Sequence, residues 1–282
     1  MRNLLKGLKL IIKYVDNQST PLLWVNDGTI PAHQYQPPLH NYDPAARLPC
    51  PTWRIPSAVE KQALVADGPV TTGAWLAVLP MPSELLAPFQ AVHDASRAED
   101  VEPIRQLVAS DQLTSAIAAV RSYLARFSAQ PAYPLEGGFI FVGHPGKVTL
   151  TYAQGPRYIG LHVDSFYQVP LEERAASPNR ICINLGAGDR YLYFINLPLT
   201  TLKEKLDGVG STDPRRFQIG SKLGTAFMEQ FPDYPVVKIR IAPGEAYIAP
   251  TENMIHDGSS QGNCYFDVHL TFRGHFAIGS PS

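Results

Sequence analysis

The chain is poor in the features that would assign it quickly. It has only three cysteines, Cys50, Cys182 and Cys264, in 282 residues. The number is odd, the spacing wide and no C-x-x-C pair occurs, which argues against a disulfide framework. The thiols read as small core residues in a reducing compartment, and cytoplasmic is the expected location. Charge of one sign is also lacking. The formal net charge is −1 with the basic residues scattered, so there is no electrostatic footprint for nucleic acid. Long apolar runs are missing: the stretch 73–79 falls far short of the roughly 18 residues a membrane helix needs. Lysines at 6, 9 and 13 interrupt the opening segment, which therefore does not read as a signal peptide. No internal repeat or low-complexity tract is present.

What the chain has in quantity is turn-formers, 26 Pro and 21 Gly, with 45% apolar residues. That composition favours many turns and short strands in a soluble globular fold. Two textures are visible. Residues 1–135 hold clustered prolines and the clearest helical periodicity. Over 95–127, Val101, Ile104, Leu107, Val108, Leu113, Ile117, Val120, Leu124 and Phe127 recur at three- and four-residue steps, with Asp111 placed to cap the second of two helices. These helices are expected to pack outside a sheet. From 137 onward short apolar segments at 138–143, 147–152, 158–163, 180–185, 191–197, 236–241, 245–249 and 265–272 alternate with turns such as Pro145-Gly146, Gly155-Pro156 and Pro243-Gly244. Eight such strands predict a mainly β fold with flanking helices, an antiparallel barrel or jelly roll. The expected organisation is a single domain over 1–282. A helical and irregular region (1–135) packs on a catalytic core (136–282). An insertion at about 198–235, with helices near 202–206 and 222–231, lies close to one rim.

The chemistry-bearing pattern is His162-Val163-Asp164, followed much later by His256. A chain with 8 His and 25 acidic residues carries roughly 0.7 H-x-D tripeptides by chance, so the tripeptide alone says little. Its context says more. His162 ends a strand, and a spacing of two on extended chain puts both side chains on one face. Two imidazoles and one carboxylate suit iron(II), manganese or zinc, and can occupy one face of the ion, leaving the opposite positions open.

This order of residues on a β-rich core resembles the iron(II)/2-oxoglutarate-dependent oxygenases, whose jelly roll carries an H-x-D…H motif. The resemblance covers about 137–276. It implies a double-stranded β-helix in which His162, Asp164 and His256 are the catalytic metal ligands, on neighbouring strand ends of the smaller sheet. It also implies Fe(II) with 2-oxoglutarate and O2 as cosubstrates, and hydroxylation of an unactivated C–H bond. An acid at Asp164, where halogenating members carry a small residue, favours hydroxylation over halogenation; desaturation, epoxidation and cyclisation use the same oxidant and stay open.

The family anchors the distal carboxylate of 2-oxoglutarate with a cation. Arg273 is one candidate, because Tyr265, Asp267, His269, Thr271 and Arg273 alternate with Phe266, Val268, Leu270 and Phe272 and so share a polar face. Arg190 is the other, with Asn184 or Tyr193 assisting. Asp267 and His269 read either as outer partners of a ligand imidazole or as a simple hydrogen-bonded pair. Phe166 and Tyr167 read as pocket lining or core, and Arg215 and Arg216 as a solvated loop pair or contacts to an acidic substrate. His33, His40, His93, His144 and His275 have no ligand-like spacing. The expected partner is a small-molecule substrate, such as an amino acid or a biosynthetic intermediate, with no nucleic acid and no membrane; the oligomeric state is not encoded legibly. Two alternatives remain: a cupin-like metal enzyme that does not use 2-oxoglutarate, and a non-catalytic jelly-roll binding module.

Overall fold

A computed structural model describes residues 4–12, 22–66, 70–152, 155–210 and 220–276. In chain order the first part gives β1 (Lys9–Ile12), β2 (Leu23–Val25), β3 (Thr29–Pro31), β4 (Tyr42–Pro49), α1 (Ala58–Leu64) and β5 (Trp75–Pro80). Four helices follow: α2 (Ser83–Leu86), α3 (Gln90–Ala95), α4 (Glu102–Val108) and α5 (Thr114–Ala125). The β-rich part contains β6 (Glu136–Gly143), β7 (Tyr158–Gly160), β8 (Asn179–Asn184) and β9 (Arg190–Pro198). It continues with α6 (Leu199–Asp207), α7 (Gly220–Gln230), β10 (Val237–Ile241), β11 (Glu245–Ala249), β12 (Met254–Ser259) and β13 (Asp267–Gly274).

The strands form a six-stranded sheet, β1-β5-β11-β8-β13-β6, and a four-stranded sheet, β12-β9-β10-β2, with β3-β4-β7 as a third, smaller one. Every pairing within the β-rich part is antiparallel. The two larger sheets pack face to face. Cys182, Tyr247 and Ala249 of the six-stranded sheet share a core with Leu192, Phe194, Val237, Ile239, Ile241 and Met254 of the four-stranded one. This is the expected jelly roll.

Alternation along the strands explains why helices flank it. On β8 and β13, Ile181, Ile183, Val268, Leu270 and Phe272 point away from the sandwich and are fully buried under Phe89, Val92, Ile104, Val120 and Leu124. The helices of 95–127 therefore do cover a sheet. On the other side, Tyr193, Ile195 and Leu197 of β9 pack against Leu202, Leu206, Leu223 and Phe227 of α6 and α7. The insertion thus covers the outer face of the smaller sheet instead of standing at a rim. Its polar loop, with Arg215 and Arg216, lies outside the described residues, as does part of the opening segment.

Three local expectations differ. Asp111 caps nothing: it is the first residue of a 3-10 turn (Asp111–Leu113) that runs straight into α5, so the extended cap position falls to Ser110 instead. The segment 147–152 joins no ladder. Lys147 and Thr149 are instead bonded by Ser260, Ser259 and the Tyr42 hydroxyl, and the contact with β7 is limited to the Tyr152–Tyr158 bridge and the Thr151 carbonyl, which accepts from the Ile159 amide. The first 135 residues also supply strands, β1 and β5 extending one sheet and β2 the other. No described helix is long and apolar enough to cross a membrane, and the three cysteines are free.

Candidate metal centre

β7 ends at Gly160, and two residues on His162 forms a bridge with His256 of β12. The two histidines exchange backbone hydrogen bonds, His162 N to His256 O at 3.0 Å and His256 N to His162 O at 2.8 Å. The chain reaches His162 through Gly160, whose φ of +72° lies in the left-handed region; a Cβ there would stand 2.5 Å from the Arg47 carbonyl oxygen. Gly160→Ala is therefore expected to cost about 2–3 kcal/mol and to weaken metal binding by shifting His162. Thermal melting and a metal titration of the variant check both effects.

The imidazoles lie 4.8 Å apart between ring centroids. Asp164 Oδ1 is 3.5 Å from His162 Nε2, and Asp164 Oδ2 is 3.9 Å from His256 Nε2. Among the described residues this is the one group of three or more His, Cys, Asp or Glu side chains placed to share a metal ion, with donor atoms within 4.8 Å of one another. His162 Nδ1 is 3.0 Å from the Gly160 carbonyl and His256 Nδ1 is 3.2 Å from the Met254 carbonyl. A carbonyl only accepts, so in each ring Nδ1 carries the hydrogen and Nε2 offers its lone pair. Both Nε2 atoms are buried and have no hydrogen-bond partner. Buried polar atoms are normally satisfied, so two orphaned lone pairs beside a carboxylate are what a metal site looks like without its ion.

The electrostatics agree at His256 and Asp164. At His256 burial dominates and pushes the pKa down to about 3. At His162 burial also disfavours the cation, but the carboxylates of Asp164 and Asp257 outweigh it and the pKa rises. Asp164 is buried too, yet Arg180 and the two histidines hold its carboxyl well below the usual range. Asp164 thus stays ionised and His256 keeps a free Nε2 lone pair toward it, whereas a cation at the triad would compete with the proton that the carboxylates favour on His162.

Beside the triad a cavity of about 340 Å³ runs between the sheets, reaching the triad at His256 and bounded by Arg180, Arg190, Tyr247, Thr271 and Tyr152. Arg190 lines it, as one of the two arginines expected near the site. It is only 3% exposed in its side chain, with Nε 3.2 Å from Asp267 and Nη1 donating to Cys182 Sγ. Arg273 does not line the cavity. Its guanidinium donates to Asp164 Oδ2 at 2.8 Å and stacks 4.9 Å from the Phe166 ring. Arg180 was not singled out in the sequence, where it reads as an ordinary strand start. Its Nη2 lies 3.2 Å from Asp164 Oδ2 and its buried Nε has no hydrogen-bond partner. The alternation of β8 was its available signal: Ile181 and Ile183 point out, which turns Arg180 and Cys182 inward.

The remaining candidates sort by their contacts. Asp267 and His269 form a hydrogen-bonded pair of 3.0 Å on the cavity wall; the imidazoles of the triad face Gly160, Met254 and Asp257 instead. Asn184 serves the 184–188 turn, and Tyr193 bonds Ser259 and Gln261. Phe166 is 65% exposed and so is not core; with Phe141 and Tyr152, also exposed, it leaves aromatic surface at the open side of the site.

No family model and no curated protein matches the chain. Among solved structures it is similar to the Kdo hydroxylase KdoO, a non-heme Fe(II) alphaketoglutarate-dependent dioxygenase, in complex with cobalt(II), at TM-score 0.40 and 14% identity over 72% of this chain and 80% of that one. It is similar to the complex of that protein with alphaketoglutarate and Fe(III) at TM-score 0.39 and 15% identity over the same shares. The functional reading rests on the triad itself.

Proposed function

We propose that this protein is a non-haem iron(II)- and 2-oxoglutarate-dependent oxygenase that hydroxylates an unactivated C–H bond of a small molecule. The observation that carries the reading is the convergence of two unpartnered, buried Nε2 atoms on the Asp164 carboxylate. His162, Asp164 and His256 would hold the metal. Bound iron(II), with 2-oxoglutarate and dioxygen, supplies the oxidant that removes hydrogen from such a bond. The chain's own part is to place the reacting groups and exclude water. Nδ1–H bonds to Gly160 and Met254 fix both imidazoles in the ligating tautomer. The cavity between the sheets has the size of a small-ligand site.

Both arginines expected to anchor 2-oxoglutarate are ion-paired, Arg190 with Asp267 and Arg273 with Asp164, but Arg190 lines the cavity and Arg273 does not. Arg190 is therefore assigned to the distal carboxylate, and Arg180, beside the triad, adds positive charge for a dianionic cosubstrate. Arg190→Gln is expected to raise the KM for 2-oxoglutarate at least about tenfold, the loss of roughly 1.4 kcal/mol from one charge-assisted bond. Arg273→Gln is expected to change metal affinity more than this KM. Steady-state kinetics with varied 2-oxoglutarate would sink the assignment if the order were reversed.

The deciding experiment adds iron(II) and then 2-oxoglutarate anaerobically to metal-free protein and follows the weak visible charge-transfer band, with His162→Ala alongside. A band in the wild type that vanishes in the variant supports the proposal. Iron binding without a band rejects 2-oxoglutarate and leaves the cupin-like reading. Absence of both leaves a non-catalytic binding module.

A further inference from the structure

Behind Asp164 lies an ion pair that the proposed chemistry does not use. Arg174, on the 3-10 segment Leu171–Ala176, has a side chain only 2% exposed, and Glu252, in the 3-10 turn before β12, only 1%. Arg174 Nη1 is 3.5 Å from Glu252 Oε2. The same nitrogen donates to the backbone carbonyl of Asp164 at 2.9 Å and to that of Glu252 at 3.2 Å, while Nη2 donates to Ser165 Oγ at 2.9 Å. From the other side Glu252 Oε1 accepts the Phe166 amide at 2.6 Å. Three consecutive residues, starting with a metal-ligand candidate, are thus held by one buried pair.

The pair is itself fastened to the fold. Asp164 N bonds the Thr251 carbonyl at 3.1 Å, and Asn253 Nδ2 bonds the Gly73 carbonyl at 3.0 Å. Gly220, at the start of α7, makes room for the guanidinium: a Cβ there would meet Arg174 Nη1 at 2.9 Å. Burying two charges is expensive, and a buried pair is often worth no more to stability than apolar residues of the same volume. The pair's location is therefore the informative part. An arginine fits it because its planar fork spans a carbonyl, a hydroxyl and a carboxylate at once, which an ammonium does not.

We infer that Arg174 and Glu252 are positioning residues that fix the backbone of 164–166, and thereby the direction in which Asp164 presents its carboxylate to the metal. This rests on the proposed metal centre. Without the clamp, the carboxylate keeps its contacts with Arg180 and Arg273 while the backbone of 164–166 is free to shift, which changes the angle at which it faces the two imidazoles.

The test is titration with cobalt(II), read by its visible ligand-field bands, of wild type, Arg174→Lys, Glu252→Gln, Ser165→Ala and Tyr234→Phe. The last removes a buried hydroxyl bonded to Asn196 on the far side of the smaller sheet and serves as a control for general loss of stability. Loss of an outer partner typically costs about 10–100-fold in metal affinity. Arg174→Lys and Glu252→Gln are expected to lose affinity in that range and to shift the cobalt bands. Ser165→Ala should show the same band shift to a smaller degree, and Tyr234→Phe none. Should Arg174→Lys or Glu252→Gln fail to fold, the spectrum of Ser165→Ala decides. Wild-type affinity and bands in the folded clamp variants overturn the inference while leaving the metal centre standing. A band shift in Tyr234→Phe equal to theirs also overturns it. Failure of the wild type to bind cobalt at all overturns the metal centre itself.

Discussion

His256→Ala is expected to abolish the proposed iron(II) binding at the triad and with it any 2-oxoglutarate turnover. The loss exceeds the roughly 10–100-fold that removal of an outer partner costs, because a donor atom itself is gone. The fold should survive. The bonds that join β12 to His162 run through the backbone of residue 256, and alanine keeps them. The excised ring leaves an unpartnered Nε2 on His162, already unsatisfied when no metal is bound. Calorimetric metal titration together with succinate release checks this. Metal affinity and turnover within a few-fold of wild type would remove His256 from the site.

Asp267→Asn gives the largest expected change in stability, a loss of about 3–5 kcal/mol, because it strands the Arg190 guanidinium without its counter-charge in a nearly waterless position. Asp267 Oδ1 lies 3.2 Å from Arg190 Nε and Oδ2 lies 3.0 Å from His269 Nδ1. The exposed pair Arg54–Glu60 is shorter, at 2.7 Å, but with Arg54 45% exposed its loss should cost no more than about 1 kcal/mol. Burial, not distance, decides the difference. The pH dependence follows. Burial raises the Asp267 carboxyl, but Arg190 and His269 outweigh it and the pKa is lowered in the fold. The group's contribution is thus fully present above the unfolded carboxylate value near 4 and is lost as pH falls through the depressed folded value. The variant's acid unfolding curve should be flatter in that window. Replacing both partners, Arg190→Met with Asp267→Leu, should recover much of the stability, since the orphaned charge is gone. It should not recover 2-oxoglutarate affinity. Denaturant unfolding and KM in the same set of variants separate the two roles of Arg190.

The candidate triad was legible because its signal is local: a strand end with spacing two, and a second histidine near the last strands. The β13 alternation was equally readable and correctly turned Asp267, His269 and Thr271 into the sandwich. β12 was not. Pro250-Thr251-Glu252-Asn253 before it and Asp257-Gly258 within it carry turn residues, yet Met254 and Ile255 are fully buried and the ladder to β9 overrides that preference. The short strands β1 and β2 escape for a related reason, since three or four residues carry too little periodicity to register. Arg180, Arg174 and Glu252 owe their importance to elements that meet only in three dimensions. An arginine at a strand start and a Glu beside an Asn look like solvated residues until the partner element is known. Preferring Arg190 over Arg273 as the proposed anchor likewise needed the cavity, which Arg190 lines.

The backbone bridge between His162 and His256 has a thermodynamic corollary. The two residues are far apart in sequence, so an ion held by both closes a long loop that runs through β8, β9, both outer helices, β10 and β11. An ion that binds the folded chain and not the unfolded one raises the free energy of unfolding by about 2.7 kcal/mol at a hundred times its dissociation constant. The metal would then act as a removable cross-link of the sandwich as well as a reagent. Chelation would loosen β12 from the β7 end first and open that seam to proteases, before the helix-covered face of the larger sheet yields.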